Sequence, residues 1–219
     1  MQNIPDQARV FDRVAPGWYG FRHHTIFKAE LTDLAARWQY GYLLNLGCGH
    51  GADFMPFKDA FKLCGVDFST GMLKLAAKYA AKNGFQPELV QADMRELPFA
   101  EGFFDYAVAV ASLHHLPGHA EQLKALSELK RVLKPGGEAF ITVWNRTQRR
   151  FWGKPKELLV PWRGGGEVTE RYYYLFTYGE IKKLVTMAGF KPIRLFPEQS
   201  YRLPLRCFSR NICLLVKNP

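Results

Sequence analysis

Alternation constrains this chain more than any other feature. Short apolar runs at residues 42–46, 61–67, 88–93, 103–112 and 138–144 are separated by segments patterned as helices. Residues 24–40 place Ile26, Phe27, Leu31, Leu34, Ala35 and Trp38 at helical spacing. Residues 69–84 open on Ser69 or Thr70 as N-cap and close on Gly84, and an amphipathic helix at 119–134 stops at Pro135-Gly136-Gly137. Strands alternating with helices predict a parallel, doubly wound α/β sheet with ligands at the carboxyl ends of its strands. FFDYAVAVAS (103–112) is almost continuously apolar, as a strand covered on both faces must be. The pattern lapses after Trp144 and resumes with a helix at 177–190 and strands at 191–197 and 210–216. Residues 145–176 therefore read as an insertion within a single domain spanning 1–219. A chain of 219 residues suffices for one such core.

The first strand runs into Gly47-Cys48-Gly49-His50-Gly51, which is expected to lead into a helix. Glycines keep such a turn tight and let a ligand approach the backbone with no Cβ in the way. A helix N-terminus then offers free N–H groups to a carboxylate or phosphate. Asp67 closes the second strand, where an acid can accept hydrogen bonds from both hydroxyls of an adenosine ribose. Read with Ala52, the turn also satisfies the dinucleotide pattern GxGxx(G/A), so a nicotinamide cofactor stays open at this point. Asp93 and Met94 end the third strand, where an adenine edge could be read.

Charge is divided unevenly. Residues 1–143 carry 15 Lys/Arg and 15 Asp/Glu; residues 144–219 carry 15 and 5, so the whole net charge of +10 lies in the last third. A basic rear predicts a polyanionic partner. The stretch VWNRTQRRFWGKPKELLVPWRGG (143–165) holds six of these cations and three of the five Trp. No run of about 18 apolar residues predicts a transmembrane helix, and the opening MQNIPDQARVFDRVAP lacks the apolar centre of a signal peptide. Cys48, Cys64, Cys207 and Cys213 form no CxxC pair, which argues against a metal site or redox dithiol and for a reduced, cytoplasmic protein.

GCGHG, Asp67, Ala92-Asp93, FDYAVAV (104–110) and RVLKPGGEAFITVW (131–144), in this order and spacing, resemble the Rossmann-like class I S-adenosylmethionine-dependent methyltransferases. The resemblance covers about residues 40–145. It implies a seven-stranded, mostly parallel sheet with helices on both faces, an antiparallel last hairpin, and S-adenosyl-L-methionine as cofactor. It implies that Gly47, Gly49 and Gly51 face the methionine moiety, Asp67 the ribose, and Asp93 with Met94 the adenine. Asn45, Phe68 and Ala111 complete the implied cofactor contacts. Asn45 stands where the family often has an acid, which predicts weaker charge complementarity to the cofactor's amine.

Methyl transfer from a sulfonium is an in-line displacement with a good leaving group. Alignment is the main demand, and a base is needed only when the acceptor holds a proton. After the fourth strand the chain reads ASLHHLPGHAE, with no NPPY or DPPY, associated with exocyclic base amines, and no Pro-Cys to attack a cytosine C5. A narrower resemblance rests on SLHHL (112–116), FITVWNRTQ (140–148), ELLVPW (157–162), RYYYLF (171–176), GEI (179–181) and VFDRVAPGWYGFRHHT (10–25). These are similar to the tRNA methyltransferases that esterify 5-carboxymethyluridine at the wobble position, although Tyr174 stands where that family often has His. The resemblance implies tRNA as partner and a small zinc-binding activator subunit pairing with the sheet edge, here residues 88–92. A carboxylate acceptor, with a pKa of roughly 4, is already an anion at neutral pH and needs no base. It needs a cation or donor to hold it, and Arg22, His114, His115 and Arg146 are the candidates, with Tyr172 or Tyr173 shaping the pocket. Arg146, Arg149, Arg150, Lys154, Lys156 and Arg163 would meet phosphates, Trp152 or Trp162 would stack a base, and Trp144 would lie in the core. A small-molecule methyltransferase, a nicotinamide-dependent oxidoreductase and a non-catalytic cofactor- or RNA-binding module remain open.

Overall fold

Seven strands make one sheet in the order β3-β2-β1-β4-β5-β9-β8. The structure, a computed structural model, describes residues 4–21, 23–164, 168–199 and 205–219. In chain order these form α1 (Gln7–Phe21), α2 (Lys28–Trp38), β1 (Gly41–Leu46), β2 (Phe61–Asp67), α3 (Thr70–Lys82), β3 (Glu88–Gln91), β4 (Phe104–Val110), α4 (Gly118–Val132), β5 (Leu133–Trp144), β6 (Glu157–Trp162), β7 (Thr169–Tyr174), α5 (Tyr178–Met187), β8 (Lys191–Pro197) and β9 (Asn211–Lys217). Strands β1 to β5 are parallel, while β9 runs antiparallel to both β5 and β8. The sheet is the one expected, closing hairpin included. Its order reverses between β1 and β4, and at such a switch point a crevice opens beyond the carboxyl ends of the strands.

Period-two alternation splits the core across the sheet. Leu44, Leu46, Ala107, Ala109, Ile141 and Val143 pack on the face covered by α4 and α5, with Leu126, Leu129, Ile181 and Leu184. Leu43, Val108, Val110 and Phe140 pack on the other face, with Leu31, Leu34 and Trp38 of α2 and Tyr79 and Ala80 of α3. A slip of one residue would exchange the two sets, so the pattern fixes the register. Arg37 and Trp38 converge on Glu138, at 2.7–2.9 Å, and so tie α2 to β5.

Four features depart from the sequence expectation. The glycine turn leads into a 3-10 segment, Ala52–Phe57, in place of a full helix; Pro56, which has no N–H to donate, lies inside it. Helix α1 forms across Pro16, a residue that ordinarily breaks a helix interior. Residues 145–176 carry an antiparallel hairpin of their own, β6 with β7. The helix predicted over 24–40 begins at Lys28, with the Thr25 hydroxyl accepting from Phe27 N–H just before it.

Candidate active site

A cleft of about 410 Å³ opens over the carboxyl ends of the central strands. Its floor is the glycine turn. A Cβ on Gly47 (φ +71°) would lie 2.5 Å from the Ser112 Cβ, so both backbone and space demand glycine there. Gly49 (φ +52°) has nothing within 4 Å of such a Cβ, which leaves its face open to a ligand. Ser112, on the cleft wall, has a buried hydroxyl oxygen with no hydrogen-bond partner. Beside it, Ala111 holds φ +54°, a conformation that costs energy for any residue with a side chain and that clusters at ligand sites. Its N–H donates to the Thr142 hydroxyl (2.9 Å).

Asp67 ends β2 and faces the turn. One carboxylate oxygen accepts from Gly49 N–H and the other from Ser69 N–H, both at 2.9 Å. Burial raises its pKa to about 6 against those two bonds, with Asp12 adding a push in the same direction. Each oxygen keeps lone-pair capacity for one more donor. Phe68, Met72 and Met94 supply apolar surface around it.

The opposite wall comes from β5, β7 and the loops after β5 and before β9. Alternation along β7 sends Arg171 and Tyr173 to the cleft and buries Tyr172 and Tyr174 in the core. Trp144 stacks on Tyr173, with centroids 3.9 Å apart and planes at 22°. The Arg150 guanidinium lies 4.7 Å from the Trp144 ring centre, and that of Arg171 lies 5.1 Å from Trp162 and 5.3 Å from Tyr173. Arg210 also lines this wall. Burial, and then the charge of Arg210, lower the pKa of Arg150 from its ordinary value.

The two histidines present opposite faces. His114 Nδ1 accepts from Trp144 N–H (3.2 Å), which leaves the ring proton on Nε2. His115 Nδ1 meets the Tyr172 carbonyl at 2.9 Å; a carbonyl only accepts, so here the proton is on Nδ1 and Nε2 is an acceptor. Burial, aided by the charge of Arg171, lowers His115 to about 3, so it is neutral at physiological pH. A neutral ring with its N–H already committed supplies neither the cation nor the donor that His115 was expected to offer.

Helix α1 roofs the cleft. Asp12 Oδ1 accepts from the Ser69 hydroxyl (2.7 Å) and from Gly71 N–H (2.9 Å) at the start of α3. Trp18 Nε1 donates to His50 Nδ1 (3.1 Å). Gln7 Oε1 accepts from Tyr172 N–H (3.1 Å) on the hairpin. A Cβ on Gly17 would fall 1.9 Å from the Gly164 carbonyl oxygen, so helix and hairpin touch backbone to backbone.

Among the expected site residues, Gly47, Gly49, Asp67, Phe68, Met94, Ala111, His114, His115, Arg150, Trp162 and Tyr173 line this one cleft. Others do not. Asn45 is fully buried, its amide atoms without hydrogen-bond partners. Gly51 packs toward Ala76 of α3. Asp93 does not line the cleft; burial raises its pKa, but bonds of 2.5–2.9 Å from Arg95 outweigh that and lower it. Arg146, Arg149 and Arg163 lie off the cleft, and Tyr172 faces the core. Lys156, expected at a phosphate, pairs with Glu180. Trp162, expected to stack a base, packs under α1 beside Trp18, at 5.4 Å. Trp144, expected in the core, is half-buried on the cleft wall. Arg22 lies outside the described residues. Sequence reading missed Trp18, Arg171, Arg210 and Asn211; only the alternation of TERYYY could have pointed to Arg171.

Residues 44–141 match the family described as Methyltransferase domain. A protein of Encephalitozoon cuniculi assigned to the methyltransferases is 34% identical over 157 residues, covering 68% of this chain and 70% of the relative. The chain belongs to the S-adenosylmethionine-dependent methyltransferases. The tRNA (carboxymethyluridine(34)-5-O)-methyltransferase of Arabidopsis thaliana is 33% identical over 156 residues; the match spans 70% of this methyltransferase and 35% of that relative. Among solved structures, the methyltransferase seen in complex with the Haloferax volcanii Trm112 methyltransferase activator shares the fold, with TM-score 0.72, 15% identity and 98% of both chains covered. The nicotinamide reading of the glycine turn is thereby set aside.

The site's chemistry fits the cofactor. The open face of Gly49, the orphaned Ser112 hydroxyl and the paired acceptors of Asp67 offer backbone approach, a polar contact and a diol clamp in one place. Bound there, S-adenosyl-L-methionine supplies an electrophilic methyl group on a positively charged sulfur. With it bound, α1 and Trp162 would cover the cleft from above, and Trp144 would face the acceptor. No ionisable group is required to remove a proton if the acceptor is already an anion.

Proposed function

We propose that this methyltransferase esterifies the carboxylate of a 5-carboxymethyl-type uridine at the wobble position of tRNA. The carrying observation is the division of charge within the cleft. Asp53 and Asp67 lie on the cofactor side, whereas Arg150, Arg171 and Arg210 lie on the far wall among stacked aromatics. A planar, anionic acceptor matches that wall: the ring lies along its aromatic side chains, and the carboxylate pairs with guanidinium groups. Arg150, Arg171 and Arg210 thus take the part first assigned to Arg22 and Arg146. The tRNA relative supports the nucleoside named here.

On this reading the exposed Arg149, Lys154 and Arg163 contact tRNA phosphates, and the protein works in a compartment holding mature tRNA, the cytoplasm. No described helix is long and apolar enough to cross a membrane. Strand β3, which pairs on one side only, is the edge an activator would extend; the Haloferax neighbour is itself found with an activator. The test compares methyl transfer to tRNA carrying the carboxymethyl group with transfer to the same tRNA lacking it, with and without the activator. Transfer restricted to the carboxylated tRNA is expected, and Arg171→Ala should raise the KM for tRNA at least about tenfold while leaving cofactor affinity intact. Equal transfer to both tRNAs, or transfer only to free small acids, would overturn the assignment.

A further inference from the structure

The loop that carries Trp152 is stitched to a second loop sixty residues later in the chain. Asn145, fully buried, donates from Nδ2 to the carbonyls of Arg206 (2.8 Å) and Ser209 (3.0 Å), while its Oδ1 accepts from the N–H (3.1 Å) and hydroxyl (2.9 Å) of Thr147. Gln148 donates from Nε2 to the carbonyls of Arg210 (2.9 Å) and Asn145 (2.8 Å). Asn145 N–H donates to Arg210 O as well (2.9 Å). Buried amides satisfied on both sides hold a single arrangement, because breaking one strands polar atoms away from water.

What this arrangement gathers is mostly positive charge. Residues 145–156 contain five Lys/Arg and residues 205–211 two, with no Asp or Glu in either stretch; Lys156 is answered by Glu180, and Glu198 lies near Arg210. Arg150 has no carboxylate within ion-pair distance among the described residues, and Arg210 is near enough to disfavour its charge. Cations pressed together by neutral hydrogen bonds gain from an anion laid across them. The same two loops expose flat rings. Trp152 is 66% exposed and Phe208 42%, and the Trp152 indole is fixed by its Nε1 donating to the Thr147 carbonyl (2.9 Å). An acidic protein surface would satisfy the cations but leave a fixed, exposed indole face unused. A nucleic acid strand uses both, its phosphates on guanidinium groups and an unpaired base on the ring.

We propose that residues 145–152 and 205–210 form one platform for single-stranded RNA at the rim of the cleft, with Arg149 and Arg206 on phosphates and Trp152 under a base. The choice of RNA rests on the tRNA reading above; the inference goes beyond it by assigning RNA contacts to 205–210, outside the insertion.

The test measures binding of an unmodified anticodon stem-loop RNA by fluorescence anisotropy over a salt series, with cofactor affinity measured alongside. Arg206→Ala should flatten the slope of log K against log salt by about 1. Trp152→Ala should weaken binding roughly 5- to 100-fold at fixed salt with the slope unchanged. Cofactor affinity should stay as in the wild type for both. Lys62→Ala, near the start of β2 and so at the far end from Asp67, should change neither quantity. Wild-type affinity and slope in both loop variants, or an equal loss in Lys62→Ala, would overturn the platform. Ester formation is read separately: Arg206-dependent RNA binding by an enzyme that makes no ester upholds the platform and removes the wobble assignment, whereas ester formation with both loop variants binding normally does the reverse.

Discussion

Asp67 is the residue whose chemistry is most exposed to test. Its pKa is raised from 3.8 to about 6 by burial, so below about pH 6 the carboxyl is protonated and one acceptor becomes a donor. Cofactor affinity, measured by calorimetry, should be steady above about pH 7 and fall about tenfold per unit below about 6. The sign for folding is opposite to that of a salt-bridged acid: the cofactor-free protein loses stability as pH rises from about 4 to about 6, because the folded state holds the proton more tightly than the unfolded chain. Asp67→Asn should flatten the binding profile and weaken binding at pH 8 by about 10- to 100-fold, the worth of a hydrogen bond to a charged group. Asp12→Asn, which removes a neighbouring negative charge, should shift the midpoint of the wild-type profile downward. A wild-type affinity flat from pH 5 to 8 would contradict the role given to Asp67.

At the scale of elements, α1 decides whether the cleft is roofed. Gly17→Ala places a methyl group against the Gly164 carbonyl, and neither backbone can yield without lifting the helix. The variant should keep its cooperative unfolding, bind cofactor more weakly, and be cut faster by trypsin at Arg9 and Arg13. Unchanged proteolysis would mean that α1 is not held by this contact. The helix was not legible in the sequence because Pro16, Gly17 and Gly20 interrupt its pattern, and its apolar face, Val10, Val14 and Ala15, packs only on a small cluster with Met72 and Trp162. The sheet, by contrast, was legible because each central strand is a short, mostly apolar run bounded by turn residues. The cofactor side followed from it, since Gly47, Gly49 and Asp67 sit at strand ends and are close in sequence. The acceptor wall did not follow. Arg150, Arg171 and Arg210 reach one cleft from three separate segments, and Asp93 is captured by Arg95, a pairing that strand position alone does not reveal.

For the whole molecule, the uneven charge seen in the chain acquires a location. The neutral front supplies the glycine turn and its acid; the basic rear supplies the far wall and two cationic loops at its rim. An acceptor that is both anionic and attached to a polyanion uses the wall and the loops together, which a small acid would not. Transfer should therefore decline steeply with added salt on tRNA and little on a free carboxylic acid. The most direct measurement is mass spectrometry of tRNA nucleosides after incubation with isotopically labelled S-adenosyl-L-methionine, before and after mild alkaline treatment. Label on the wobble uridine that alkali releases as methanol is the predicted result. Label that survives alkali, or that resides on any other nucleoside, would contradict a carboxylate acceptor held by Arg150, Arg171 and Arg210.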